Sequence, residues 1–303
     1  MATAGISFSP VGPVPFEDVD GELPASERPA PEGIDDGDDH LADMVSSLPS
    51  KMEVNLPLKL RLYRGFWLAE IHVPAAVALR RRFVPRPDDV IVASLPKCGT
   101  TWLIALTFAT MARHVHHPPT SAPASASSHP LHRLNPHQCL PFLEGLFAPV
   151  LMPDVSFAET LESYRDDDGG AKIYGPFWDH ILGYWHASTE VPDNVLFLRY
   201  EELLRDPAGN VRKMARFVGL PFSEAEEEAG TVEAIVELCS LDRMRGFEAN
   251  RTGYVDAQRK IPRETLFRKG VVGDWVNHMT PEMARRVDDI VADKFSGTGL
   301  TFK

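Results

Sequence analysis

One junction constrains this chain more than any other part of it. A short apolar run rich in β-branched residues, DDVIVAS at 88–94, passes through the turn LPKCGT into TTWLIALTFATMARH, which has few polar residues. The first piece reads as a buried strand and the second as a buried helix. Between them, SLPKCGTTW (94–102) sits where free backbone N–H groups and the positive end of a helix dipole make an anion cradle. Against the triphosphatase pattern G-x-x-x-x-G-K-[ST], Gly99 and Thr101 fall in register, but Ser94 replaces the first glycine and Thr100 the lysine. Lys97 lies two residues before Gly99 and reaches a phosphate from the other side of the loop. The second strand expected, in NVLFLRYEEL (194–203), ends without an aspartate to hold Mg²⁺, so a P-loop kinase or NTPase fits poorly. Taken alone, the junction is either a phosphate loop or a plain strand–turn–helix with a turn glycine and capping threonines.

The rest of the chain is organised around that junction. Residues 1–40 are rich in Pro, Gly and acids and have little to bury, so they read as a disordered tail before a folded domain at 41–303. Residues 1–50 hold eleven acids against one base, Arg28, so most of the net charge of −12 belongs to this end and says nothing of nucleic acid. Helices are expected in LADMVSSLP, in LAEIHVPAAVALRRRF, in SEAEEEAGTVEAIVELCS behind the Ser223/Glu226 capping box, and in TPEMARRVDDIVADKF behind Thr280 and Pro281. His180 and His186 fall on a further helical stretch with Phe177, Ile181 and Trp185. Six of the eleven histidines lie in the low-complexity stretch 113–141, which reads as a solvated loop; a metal site there would lack any standard spacing.

Three cysteines without a CxxC pair, no apolar stretch near the roughly 20 residues of a membrane span, and no leader-like start point to a reduced, cytoplasmic, soluble protein. Neither a membrane nor nucleic acid is expected as a partner. Cys98 sits beside Lys97 at a helix N-terminus, where both features lower a thiol's pKa; an oxidation-sensitive thiol is the alternative to a small filler. Only two strong strands are legible, where an α/β sheet usually has about five.

PKCGTTW resembles the 5′-phosphosulfate loop of the cytosolic sulfotransferases, enzymes that use 3′-phosphoadenosine 5′-phosphosulfate (PAPS). RKGVVGDW (268–275) resembles that family's C-terminal signature, and LRYEEL (198–203) and the run to LCS also fit. GFWLAE, LTFAT, NPHQCLPFLE and DWVNHMTPEM look most like the plant branch. The resemblance covers roughly 41–303 and implies an α/β fold, a P-loop-like parallel sheet flanked by helices. It implies transfer of a sulfuryl group to a hydroxyl of a small-molecule acceptor, without a metal, and leaves a homodimer open. Position by position, Lys97 would contact the bridging oxygen and stabilise the leaving phosphate. Gly99, Thr100 and Thr101, in one loop with Cys98, would bind the 5′-phosphate, and Trp102 would pack on the adenine. Tyr200 would contact the cofactor, and Arg268, Lys269 and Gly270 would clamp the 3′-phosphate.

The sequence departs from the pattern in three places. Leu95 and Leu241 stand where the family usually has aromatics, and no T-H-x-P motif, whose histidine is the family's general base, occurs anywhere in the chain. After NPHQCLPFLE the sequence runs directly into residues that match the family only beyond that base and the strand carrying an Arg and a Ser for the 3′-phosphate. An internal segment with two central strands is therefore expected to be missing near 150–165. That leaves two descendants of the resemblance: a sulfotransferase, or a catalytically dead isoform that binds PAP or PAPS. Aromatic candidates for an acceptor pocket are Phe66, Trp67, Phe142, Phe147 and Tyr254, positions equally suited to a core.

Overall fold

The computed structural model describes residues 38–52, 58–82, 89–95, 97–118, 129–139, 175–256 and 261–302. The expected tail lies outside them up to residue 37, and its last residues open a helix, Asp38–Ser47. The shortening expected near 150–165, and with it Phe142 and Phe147, also lies outside them. The chain forms two compact units, one drawn from 87–142 and 198–270, the other from 29–86, 143–197 and 271–303.

The first unit is built on the Thr100–Ala112 helix. Ile104, Ala105, Leu106, Phe108, Ala109 and Ala112 are all buried, as expected of a helix apolar on every side. It packs against the helices Pro207–Phe217 and Thr231–Leu238, whose buried faces are Val211, Met214 and Ala215, and Val232, Ile235 and Leu238. Short helices at Leu241–Gly246 and Glu248–Arg251 and a two-stranded ladder, Tyr254–Asp256 with Ile261–Pro262, complete the described unit. The capping box forms as expected, with Ser223 and Glu226 exchanging bonds at the start of Glu224–Glu228.

In the second unit, Ser50–Met52, Lys59–Tyr63 and Phe66–Ala69 form an antiparallel sheet in that order. Arg64 (φ +53) and Gly65 (φ +87) close its tight hairpin, both left-handed as the twist of paired strands favours. Leu60, Trp67 and Ala69 form one core cluster and Val45, Val73 and Val77 another. Leu68 and Ala69, expected in a helix, belong to the strand, and the helix starts only at Val73, running to Arg82. Phe177–Glu190 carries His180 and His186, and Pro281–Lys294 starts behind its Thr280 cap.

The two strands expected at the junction are not formed. Residues 89–95 and 195–199 belong to no ladder among the described residues, and the second segment turns helical at Tyr200–Arg205. Val90 and Ile91 are 38% and 59% exposed. A β-branched run becomes a strand only where a neighbour completes its hydrogen bonds, and among the described residues neither segment has one. The described ladders are all antiparallel, so the expected parallel pairing is not among them.

Candidate functional site

The turn into the Thr100–Ala112 helix is built from left-handed backbone. Lys97 has φ +67 and Gly99 φ +85. Glycine takes that conformation freely, whereas lysine there is strained by about 1–2 kcal/mol. Such strain concentrates where a ligand is held. Gly99 is the helix N-cap, and no side chain caps the first turn, so its backbone N–H groups point out of the helix without a capping acceptor. Both threonine hydroxyls have partners within the protein. Thr100 Oγ1 lies 2.7 Å from Ser94 Oγ and donates to the Leu95 carbonyl at 3.3 Å, leaving its backbone N–H as its group for a ligand. Thr101 Oγ1 lies 2.9 Å from His137 Nε2.

Tyr200 closes one side. Its ring lies over Gly99 and meets Trp102 edge-on, with centroids 5.9 Å apart. Burial, and then Glu201, raise the Tyr200 hydroxyl's pKa, with Arg268 acting the other way, so the phenol stays protonated and available as a donor. Trp102 Nε1 is buried with no partner among the described residues.

All ten residues singled out from the sequence fall in this first unit. The two motifs meet there: Lys97 Nζ donates to the Thr265 carbonyl at 3.5 Å across 168 residues of sequence, three positions before Arg268. Gly270 is left-handed (φ +66), and a Cβ on it would come within 2.6 Å of Leu241 Cδ2, at the position where the family usually has an aromatic. Arg245 fastens the same segment, its Nη2 donating to the Phe267 carbonyl at 3.1 Å and to the Arg268 carbonyl. Arg268 and Lys269 are exposed beside it.

One expectation is corrected and one alternative disfavoured. For Cys98 the small filler is the better reading, since desolvation and the Glu201 carboxylate push its thiol above the ordinary range. The histidine-rich stretch is not simply a solvated loop. Residues 129–139 form two tight 3₁₀ turns with Pro130, Leu131, Leu134, Asn135, Pro136 and Cys139 buried. His129 Nδ1 accepts the Leu131 N–H, so its Nε2 carries the proton and has no lone pair for a metal. No group of three His, Cys, Asp or Glu suited to a metal occurs among the described residues.

Sequence reasoning missed His137 and Arg245. The readable signal for the first was the Asn135-x-x-Gln138 spacing, which forms a full capping box around His137. For Arg245 there was none, since its partners are carbonyls.

The sulfotransferase domain family matches residues 87–165 and 147–299. Cytosolic sulfotransferase 5 of Arabidopsis thaliana is 33% identical over 326 aligned positions, covering 89% of this chain and 98% of that protein. Flavonol 4′-sulfotransferase of Flaveria chlorifolia is 32% identical, covering 87% of this chain and 97% of that protein. Among solved structures, a candidate steroid sulphotransferase of Arabidopsis thaliana superimposes with a TM-score of 0.63 at 27% identity, covering 91% of this chain and 99% of that one. Mouse sulfotransferase SULT7A1 complexed with PAP does so with a TM-score of 0.54 at 23% identity, covering 79% and 95%. These likenesses place the fold in the α/β, P-loop-like class. The first alignment is longer than this chain: 89% of 303 residues fills about 270 of its 326 positions, so about 56 positions of the relative face no residue here. The chain belongs to the sulfotransferase family, in the company of the cytosolic sulfotransferases of plants.

Proposed function

We propose that this chain binds PAPS in the cradle of Lys97, Cys98, Gly99, Thr100, Thr101 and Trp102 and directs its sulfuryl group to a hydroxyl of a small cytoplasmic acceptor. The observation that carries the reading is the Lys97–Thr265 contact, which brings PKCGTTW and RKGVVGDW to one place. The residues fit such a ligand. An uncapped helix start meets a 5′-phosphate, Gly99 keeps the backbone clear, and the unpaired Trp102 N–H stands beside Tyr200. PAPS supplies the activated sulfuryl group. Lys97 places a cation where the leaving phosphate gathers charge, and the first-turn N–H groups add fixed dipoles there. Tyr200 donates to the nucleotide, and Arg268 and Lys269 hold the 3′-phosphate around the left-handed Gly270. The reading asks for no metal.

The general base is the missing part. The chain has no T-H-x-P, and the two matched segments, 87–165 and 147–299, overlap where we infer the internal shortening. Loss of a positioned base costs about 10²–10⁴ in rate. Nucleotide binding with little turnover is the second reading, kept because the T-H-x-P motif does not occur in the sequence. The acceptor stays at the level of a small hydroxylated molecule. Trp67 is core, 8% exposed against Leu60 and Ala69, and Tyr254 is 49% exposed, so neither marks a pocket. The acidic tail at 1–40, a single domain over 41–303 and a homodimer belong to the same proposal.

The test is calorimetric titration of PAP into the 303-residue chain, followed by sulfate transfer from PAPS to phenols and flavonols. Saturable binding abolished by Lys97→Ala and by Arg268→Ala is expected, with slow transfer; binding without any transfer would leave the second reading. A cooperatively folded chain that ignores PAP would refute the proposal.

A further inference from the structure

We infer that His137 is a positioning residue: its Nε2–H fixes the Thr101 hydroxyl so that the hydroxyl proton points at the 5′-phosphate. The inference rests on the PAPS reading above and deepens it.

A threonine side chain has one proton and two lone pairs. Thr101 is 8% exposed, and its Oγ1 is 2.9 Å from His137 Nε2. If the imidazole accepts, the hydroxyl proton is consumed and only lone pairs face the ligand, which repel a phosphate. If the imidazole donates, one lone pair is used and the proton stays available for an anion. A threonine in the first helical turn has a further alternative, donation back to a carbonyl of its own chain, which also turns the proton away. The direction of a single hydrogen bond therefore decides whether Thr101 recognises phosphate.

His137 is held for this task by a chain of bonds confined to one unit. Its backbone N–H donates to Asn135 Oδ1 at 3.1 Å, inside the capping box closed by Gln138. Asn135 Nδ2 donates to Asn250 Oδ1 at 2.8 Å, and Asn250 Nδ2 to the Met244 carbonyl at 2.8 Å. Asn135 and Asn250 are 2% and 1% exposed, so both amides are locked. Met244 lies in Leu241–Gly246, the helix whose Leu241 and Arg245 touch the Arg268–Gly270 segment. The relay thus ties the 5′-phosphate side of the cradle to its 3′-phosphate side.

His137 does not stand in for the missing base. Burial lowers its pKa to about 4, far below the operating range of a useful general base. Burial keeps the ring neutral, so one ring nitrogen carries a proton, and the inference assigns that proton to Nε2.

The test compares two ligands on the full chain: PAP, and adenosine 3′-monophosphate, which lacks the 5′-phosphate. His137→Leu is expected to weaken PAP about tenfold, the worth of one buried hydrogen bond, and to leave adenosine 3′-monophosphate unchanged. Thr101→Val should lose a similar factor, and the double variant no more than Thr101→Val alone, because the two act as one unit. His137→Gln, which keeps an N–H donor, should bind PAP within about threefold of the parent. Should His137→Leu fail to melt cooperatively, the Gln and Val variants carry the test. Equal losses for both ligands would make His137 merely structural, and independent losses in the double variant would break the pairing; either result overturns the inference. A folded parent that binds no PAP defeats the PAPS reading itself, and this inference with it.

Discussion

The Tyr200 ring lies so close over Gly99 that a methyl group at Gly99 would sit 2.8 Å from its Cδ2. The contact joins the two chain segments of the first unit, and it leaves room for nothing larger than hydrogen on the Gly99 α-carbon. Gly99→Ala therefore meets both a crowded ring and a φ of +85. The expected loss is about 1–3 kcal/mol of stability together with weaker PAP binding. Unfolding in urea and a PAP titration check it; a variant equal to the parent in both would remove the role assigned to this approach.

Arg113 ends the central helix of the same unit and is 2% exposed. Its guanidinium donates to Glu226 Oε1 at 2.7 Å and to the carbonyls of Thr110, Leu220 and Pro221, and lies 4.3 Å from the Phe222 ring centroid. Burial alone would raise the Glu226 pKa, but the bond from Arg113 and two from Ser223 hold it at about 2. Arg113→Met takes the donor from the Thr110, Leu220 and Pro221 carbonyls and the cation from Glu226, and about 3–5 kcal/mol should be lost. Differential scanning calorimetry reads this as a melting point lowered by roughly 10 °C.

Acid should weaken the fold through two histidines. Burial lowers His129 to about 3 and His137 to about 4, from 6.5. Between 6.5 and 4 the unfolded chain binds protons that the folded chain refuses, so stability is complete above about 6.5 and falls with pH. Each histidine contributes a slope approaching 1.4 kcal/mol per pH unit, near an upper limit, around pH 5.5. Urea midpoints at pH 7, 6 and 5 measure the total, to which His116, His132 and His180, also lowered by burial, add, and His137→Gln should make the dependence shallower. A stability flat across that range would contradict the burial of both rings.

Cys98 offers a contrast. Its residue is exposed, yet its thiol is pushed above the ordinary range, so little thiolate forms at pH 7. Alkylation by iodoacetamide at pH 7 should be slower than that of free cysteine, and PAP affinity should be the same before and after mild peroxide. Fast alkylation would restore the activated thiol that the lysine and the helix end suggest on paper.

Local rules carried the sequence reading a long way. Ser223 with Glu226, Thr280 with Pro281, and the largely apolar turns after Thr101 each specify a helix without help from distant chain. The runs around Ile91 and Phe197 did not behave so, because a strand is a property of a pair and no described segment pairs with either. The phosphate loop was legible since its chemistry lies in consecutive residues. His137 and Arg245 were not. The first lies in a stretch whose composition looks like solvent-exposed loop, and the second acts on main-chain carbonyls that leave no mark in a sequence.

The unpaired segment ahead of the loop has a consequence for the life of the chain in a cell. Val90 and Ile91 stand in water with no described neighbour taking up their amide and carbonyl rows. An open β-branched stretch of this kind is a template for any extended chain that meets it. Before catalysis becomes limiting, the chain's yield is set by solubility, by chaperone capture and by how soon two copies find each other.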